Sequence, residues 1–73
     1  MPKPKPIAQI LEVMIADLSA TGMDRTAIAD ATRLSRVTIW RMAIGEARQP
    51  DYRTVCRIGD LYEQKVGPSP LRG

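Results

Sequence analysis

Only Arg33 and Leu34 stand between the end of one short amphipathic segment and Ser35, a residue suited to capping the next. So little slack forces two helices to meet at a sharp turn, and this limits the fold more than any other feature of the chain. The first segment opens at Asp24, whose carboxylate can accept amide hydrogens that a first helical turn leaves unpaired. It runs from Arg25 to Thr32 with Ile28, Ala29 and Ala31 as a small apolar face. After Ser35, the residues Val37, Ile39, Trp40 and Met42 precede Gly45, which predicts a second helix over Arg36 to Ile44, with Arg36 to Ala43 as its working part.

The flanking segments complete a helical reading. Apolar residues at Ile7, Ile10, Leu11, Met14, Ile15 and Leu18 recur at the spacing of one helix face, with Gln9, Glu12 and Asp17 opposite. This helix should stop near Ala20 to Gly22, where glycine can take the left-handed conformation that commonly follows a helix end. Asp51 caps a last predicted helix, with Tyr52, Val55, Ile58, Gly59 and Tyr62 sharing a face up to about Lys65. Proline and lysine alternate over Met1 to Pro6, which reads as a flexible basic arm, and Gly67 with two prolines ends regular structure, leaving 67–73 as a flexible tail. The expectation is one all-α domain over 7–66, a bundle of four to five helices. At 73 residues its core must be thin, since a domain this small buries only roughly 60% of its unfolded surface.

That size and the residue inventory argue against catalysis. Cys56 is the single cysteine and histidine is absent, so an internal disulfide, a cysteine-cluster metal site and the usual neutral-pH proton carrier are all excluded. No nucleophile and base pair is visible, and neither a metal nor a cofactor is expected. The first residues lack the apolar stretch of a secretory signal, and no apolar run approaches the roughly 20 residues needed to span a bilayer. A soluble cytoplasmic protein is the default. Between Arg25 and Arg57, seven arginines face three acids, a net charge of +4 with no lysine. The rigid guanidinium fork suits phosphate oxygens and the guanine edge, so this segment points to nucleic acid; a merely solvated charged surface is the alternative.

From Met23 to Leu61 the chain resembles the Cro/cI-type helix-turn-helix family of phage and bacterial repressors. The run Ile28-Ala29-Asp30-Ala31-Thr32-Arg33-Leu34-Ser35-Arg36-Val37-Thr38-Ile39 is similar to that family's signature of leucine-alanine, three residues, glycine, hydrophobic, serine, three residues, isoleucine. Gly45 and Pro50 sit where such proteins often carry a glycine after the recognition helix and a proline before the next, and Tyr52, Val55 and Ile58 fit the core pattern of the fourth helix. Two positions depart from the pattern: Arg33 replaces the turn glycine, and Arg25 replaces a glutamine at the start of the second helix. The resemblance implies a lambda repressor-like DNA-binding domain in a bacterial cell or phage-infected host.

In that arrangement the second short helix enters the major groove with its first residues and next exposed turn facing the bases. Arg36, Val37, Thr38 and Arg41 are therefore the base-reading candidates: either arginine can bond bidentately to guanine, Val37 can touch a thymine methyl, and Thr38 can reach a base edge or a phosphate. The competing reading confines Arg36 and Arg41 to phosphates. Arg25 and Ser35 at helix N-termini, with Arg48, Gln49 and Arg53 around the following loop, are backbone-contact candidates. Trp40 is either a half-exposed packing residue or a ring lying along the sugar-phosphate backbone. Lys3 and Lys5 can follow a groove as a basic arm, or serve as a solubilising tail. Cys56 reads as a small packing residue.

The function expected is that of a sequence-specific double-stranded DNA-binding regulator, a repressor acting by operator occupancy. One recognition helix reads few base pairs, so a homodimer on a palindromic operator is expected, with Leu61, Tyr62 and Val66 as its surface. Two other classes stay open: a protein-binding phage accessory or antitoxin-like module, and an excisionase-like architectural protein. The acidic polar face of the first helix argues against membrane binding.

Overall fold

Three of the helices begin where a short oxygen-bearing side chain meets an unpaired amide. Asp24 Oδ1 accepts from the Ala27 amide at 2.8 Å, Ser35 Oγ from Thr38 at 3.0 Å, and Asp51 Oδ1 from Thr54 at 2.8 Å. In the computed structural model, which describes residues 6–72, these caps open α2 (Arg25–Thr32), α3 (Arg36–Ala43) and α4 (Tyr52–Lys65). The first helix, α1 (Ile7–Ala20), starts behind Pro6 without a side-chain cap; the Pro6 carbonyl accepts from Gln9 and Ile10 instead. It ends at Ala20 with Thr21 as its cap, and Gly22 follows with φ at +101°, the left-handed geometry expected there. The protein is all-helical, with no strand among the described residues.

The α1 stripe becomes the floor of the core. Leu11, Met14, Ile15 and Leu18 are buried, while Ile7 and Ile10 at its N-terminal end are only half covered. Ile28 and Ala29 of α2, Ile39 and Met42 of α3, and Ile58, Leu61 and Tyr62 of α4 close over that stripe. Each fully buried Leu, Ile or Met contributes about 1.5–3 kcal/mol, and α1 supplies four of the eleven core residues. α1 packs most extensively on α3. One polar tie joins the core's edges: the Tyr62 hydroxyl donates to Asp17 Oδ2 at 2.7 Å, linking α4 to α1. That bond to a carboxylate, helped by burial, raises the Tyr62 hydroxyl above its ordinary value of 10.0. The Cα radius of gyration is 11.3 Å, against about 11 Å for a folded domain of this length.

Two expectations change. Tyr52, placed by its sequence on the core face of α4, is 84% exposed. It precedes Ile58 by six residues, which at about 100° per residue turns it roughly 120° away from the buried direction; Val55, about 60° away, is half-buried. The C-terminal stretch also does not end regular structure at Gly67. The Leu71 amide donates to Ser69 Oγ at 3.1 Å, a 3-10 turn covers Pro70–Arg72, and Leu71 packs against the core. It lies over Gly59, where even a Cβ would be at an ordinary contact distance, 3.5 Å from Leu71 Cδ1. The glycine and prolines mark a turn correctly, but a lone Leu71 carries no periodicity to announce that it returns.

Candidate nucleic-acid interface

The geometry starts in the turn between α2 and α3. Arg33 has φ 60° and ψ 31°, the single non-glycine residue with positive φ among those described. Its amide and that of Leu34 both donate to the Ala29 carbonyl, the latter at 3.1 Å, so the turn closes α2 in the manner of a Schellman motif, and Leu34 packs against the core. Such a conformation costs an ordinary L-residue on the order of 1 kcal/mol. Neighbouring bonds hold it. Buried Thr32 donates its hydroxyl to the Ile28 carbonyl at 2.8 Å, and Arg57 Nη1 reaches across from α4 to the Thr32 and Arg33 carbonyls at 3.4 and 3.3 Å.

From this turn α3 emerges with two faces. Ile39 and Met42 are wholly buried, whereas Arg36, Val37, Trp40 and Arg41 lie open to solvent. Val37 is 61% exposed and Trp40 44%, and Ile44 just past the helix end continues the same row at 43%. A shallow depression on one flank is lined by Arg25 and Thr26 of α2 together with Arg36, Val37 and Trp40. On the other flank Thr38 and Arg41 line a second one with Glu46, Arg48, Gln49 and Thr54. The outer edge of α3 is thus a ridge carrying Arg36 and Arg41, with Arg25 of α2 and Arg48 of the following loop beside it.

No known family, curated protein or solved structure matches this chain.

The candidates drawn from the sequence therefore separate into groups. Arg36, Val37, Trp40 and Arg25 come together on one flank, and Arg41, Arg48 and Gln49 on the other. Thr38 is half-buried and its Oγ1 lies 2.8 Å from Ser35 Oγ, so the two hydroxyls bond each other at the exposed N-terminus of α3. Arg53 is exposed in the first turn of α4 but lines neither depression. Lys3 and Lys5 lie outside the described residues. Of the dimer candidates, Leu61 and Tyr62 are only 5% and 7% exposed, spent within the chain's own core because the buried stripe of α4 runs through them; Val66 remains exposed.

Four participants escaped the sequence reading. Thr26 and Thr54 line the two depressions beside the arginines, and nothing in the spacing of one helix announces a neighbour contributed by another. Ile44 was detectable, since Val37, Trp40 and Ile44 recur at helical spacing. Arg57 belongs to the arginine-rich stretch, but its contact with residues 24 and 25 positions earlier depends on how α4 folds back. Around the second flank, bonding from the Thr54 hydroxyl and amide holds the Asp51 carboxyl below its usual 3.8, with Arg53 and Arg57 adding to the effect. Among the described residues no group of three or more Cys, Asp or Glu side chains comes together as a metal site, and no helix is long and apolar enough to cross a membrane.

Proposed function

We propose that α2 and α3 form a helix-turn-helix and that the chain is a sequence-specific double-stranded DNA-binding protein, a cytoplasmic transcriptional regulator of the Cro/cI kind acting by operator occupancy. The observation that carries this reading is the ridge of α3. Arg36, Val37 and Arg41 stand exposed along an eight-residue helix whose apolar side is locked to the core, with Arg25 and Arg48 flanking it. An α-helix fits the major groove, and Arg, Val and Arg are side chains able to read guanine edges and thymine methyls there. Arg25, Arg48 and Gln49 then meet the phosphates on either side, Trp40 lies along the backbone, and Lys3 and Lys5 add charge from the arm. Ser35 and Thr38 serve to build the helix terminus whose free amides favour an anion.

Two copies on a palindromic operator would supply the base pairs that one short helix lacks. With Leu61 and Tyr62 buried, a dimer surface on α4 falls to Val66 and the 84% exposed Tyr52. Selection of bound DNA from a random pool at two salt concentrations tests the proposal. A palindromic motif is expected, with log K falling against log salt at a slope of about −4 to −5 for roughly five phosphate contacts. Salt-independent binding, or none, would overturn it.

One observation favours a second reading. Val37, Trp40 and Ile44 form an exposed apolar row at the i, i+3, i+7 spacing by which helices anchor in the grooves of partner proteins. A protein-binding module of that kind predicts tight binding to a protein through this row, and no salt-sensitive DNA affinity.

A further inference from the structure

We infer that Arg57 is a positioning residue for the proposed DNA contact, holding the α2–α3 turn in its left-handed conformation and thereby setting the direction in which α3 projects. The inference rests on the DNA-binding reading for its consequence, although the clamp itself does not. Its basis is a juxtaposition. One guanidinium nitrogen of α4 meets two consecutive carbonyls, those of Thr32 and Arg33, and Arg33 is the single non-glycine residue with positive φ among those described.

The C-terminal carbonyls of a helix have no partner within it, and the helix dipole places partial negative charge there. A cation at that end is favoured on both counts. At 3.3 and 3.4 Å the two contacts are longer than the usual 2.9–3.0 Å, so attraction between a full charge and two carbonyl dipoles carries them more than directional bonding does. Arg57 is half-buried and sits beside Ile58, which is fully buried, while Tyr62 ties the same helix to α1. The clamp therefore ties the turn to a helix anchored in the core by Ile58 and to α1 by Tyr62. Around the guanidinium, the depression is bounded by Arg33, Asp60 and Gln64, and Asp51 feels its charge from the start of α4. An arginine at position 33 repels Arg57 through its side chain while its backbone holds it, so the charge of residue 33 does not explain the contact.

Without the clamp, Arg33 relaxes toward negative φ and the first turn of α3, with Arg36 and Val37, shifts while Ile39 and Met42 keep the helix on the core; with glycine at 33, the left-handed turn persists unaided. Four proteins test this: wild type, Arg57→Met, Arg57→Lys and the double variant Arg33→Gly/Arg57→Met. Without DNA, hydrogen exchange of the Leu34 amide is compared with that of core amides. Arg57→Met should speed Leu34 exchange roughly tenfold, about 1.4 kcal/mol, relative to the core. Arg57→Lys should fall between, and the double variant should recover protection. With DNA, Arg57→Met should lower the ratio of affinity for the selected site over random sequence, and the double variant should restore that ratio. A plain phosphate contact would instead weaken both equally and reduce the salt slope by about 1.

Unchanged Leu34 protection in Arg57→Met overturns the inference, as does loss of protection that Arg33→Gly fails to restore. If Arg57→Met does not fold, Leu34 protection in Arg57→Lys that is reduced relative to the core but not lost supports the clamp, and a lysine variant that folds with Leu34 either wholly unprotected or as protected as in wild type contradicts it. Should protection follow the expected order while no protein, wild type included, discriminates between DNA sequences, the clamp stands and the DNA-binding reading fails.

Discussion

Replacing Arg33 by glycine isolates the conformational cost of the turn, because little else changes. The side chain removed is exposed, and the two backbone bonds that close the turn, from the amides of residues 33 and 34 to Ala29, are kept. The carbonyl that Arg57 reaches is also backbone and survives the substitution. A non-glycine residue at φ 60° forgoes about 1–2 kcal/mol that glycine would not. Against this, the freer unfolded chain of the glycine variant costs about 0.5–1 kcal/mol. The central net is a gain of about 0.75 kcal/mol, or roughly 3–6 °C in Tm at about 4–8 °C per kcal/mol for a domain of this size. Thermal unfolding followed by circular dichroism, at several protein concentrations so that association is separated from folding, measures it. Arg33→Ala is the control, since alanine keeps the backbone penalty and should give no such gain. A glycine variant that melts at or below wild type would refute the reasoning and show that the arginine side chain stabilises the turn by more than its backbone strain.

Three more outcomes follow from the same geometry. Ser35→Ala removes the α3 cap and the hydroxyl that holds Thr38, and should lower stability by about 1 kcal/mol, seen as a Tm lowered by roughly 4–8 °C. Tyr62→Phe breaks the bond to Asp17 and should cost about 1 kcal/mol near neutrality. Because the folded Tyr62 holds its proton more tightly than the unfolded one, that contribution is fully present below pH 10 and declines as pH rises through the raised folded value; the phenylalanine variant should lack this alkaline loss in a Tm series from pH 8 to 11. In binding to the selected operator, Arg41→Ala should relax preference at one base pair by about 1–3 kcal/mol, whereas Arg48→Ala should weaken specific and random DNA alike and reduce the salt slope by about 1.

What the chain disclosed by inspection was local. Asp24, Ser35 and Asp51 each cap the helix that follows, because a cap is decided by three or four neighbouring residues and needs nothing from the rest of the fold. The stripe of α1 was legible for the same reason, as was the division of α3 into buried Ile39 and Met42 and exposed Arg36, Val37 and Arg41, although Thr38, expected on the exposed side, is half-buried. Arg33 also stood out as the residue in the turn where a glycine would be at ease, and its positive φ bears that out. Tyr52 misled because an aromatic at the first position of an amphipathic helix reads as core, and only the register set by Ile58 turns it outward. Arg57, Thr26 and Thr54 were invisible because their roles depend on which helix lies next to which. Leu61 and Tyr62 show the converse difficulty: in a thin core the same apolar stripe cannot serve both the chain and a partner, and periodicity alone does not say which has first claim.

The buried stripe of α1 has a further consequence for how such a protein can vary. Everything proposed to touch DNA lies outside that helix or at its N-terminal arm, yet α3 has its principal packing partner there. Excised as a peptide, residues 24–43 would leave Ile28, Ile39 and Met42 without the side chains that cover them. The contact unit is consequently not a portable module. Residues such as Leu11, Met14 and Leu18, remote from the solvent face of α3, constrain which sequences that face can carry while its helix still stands in place.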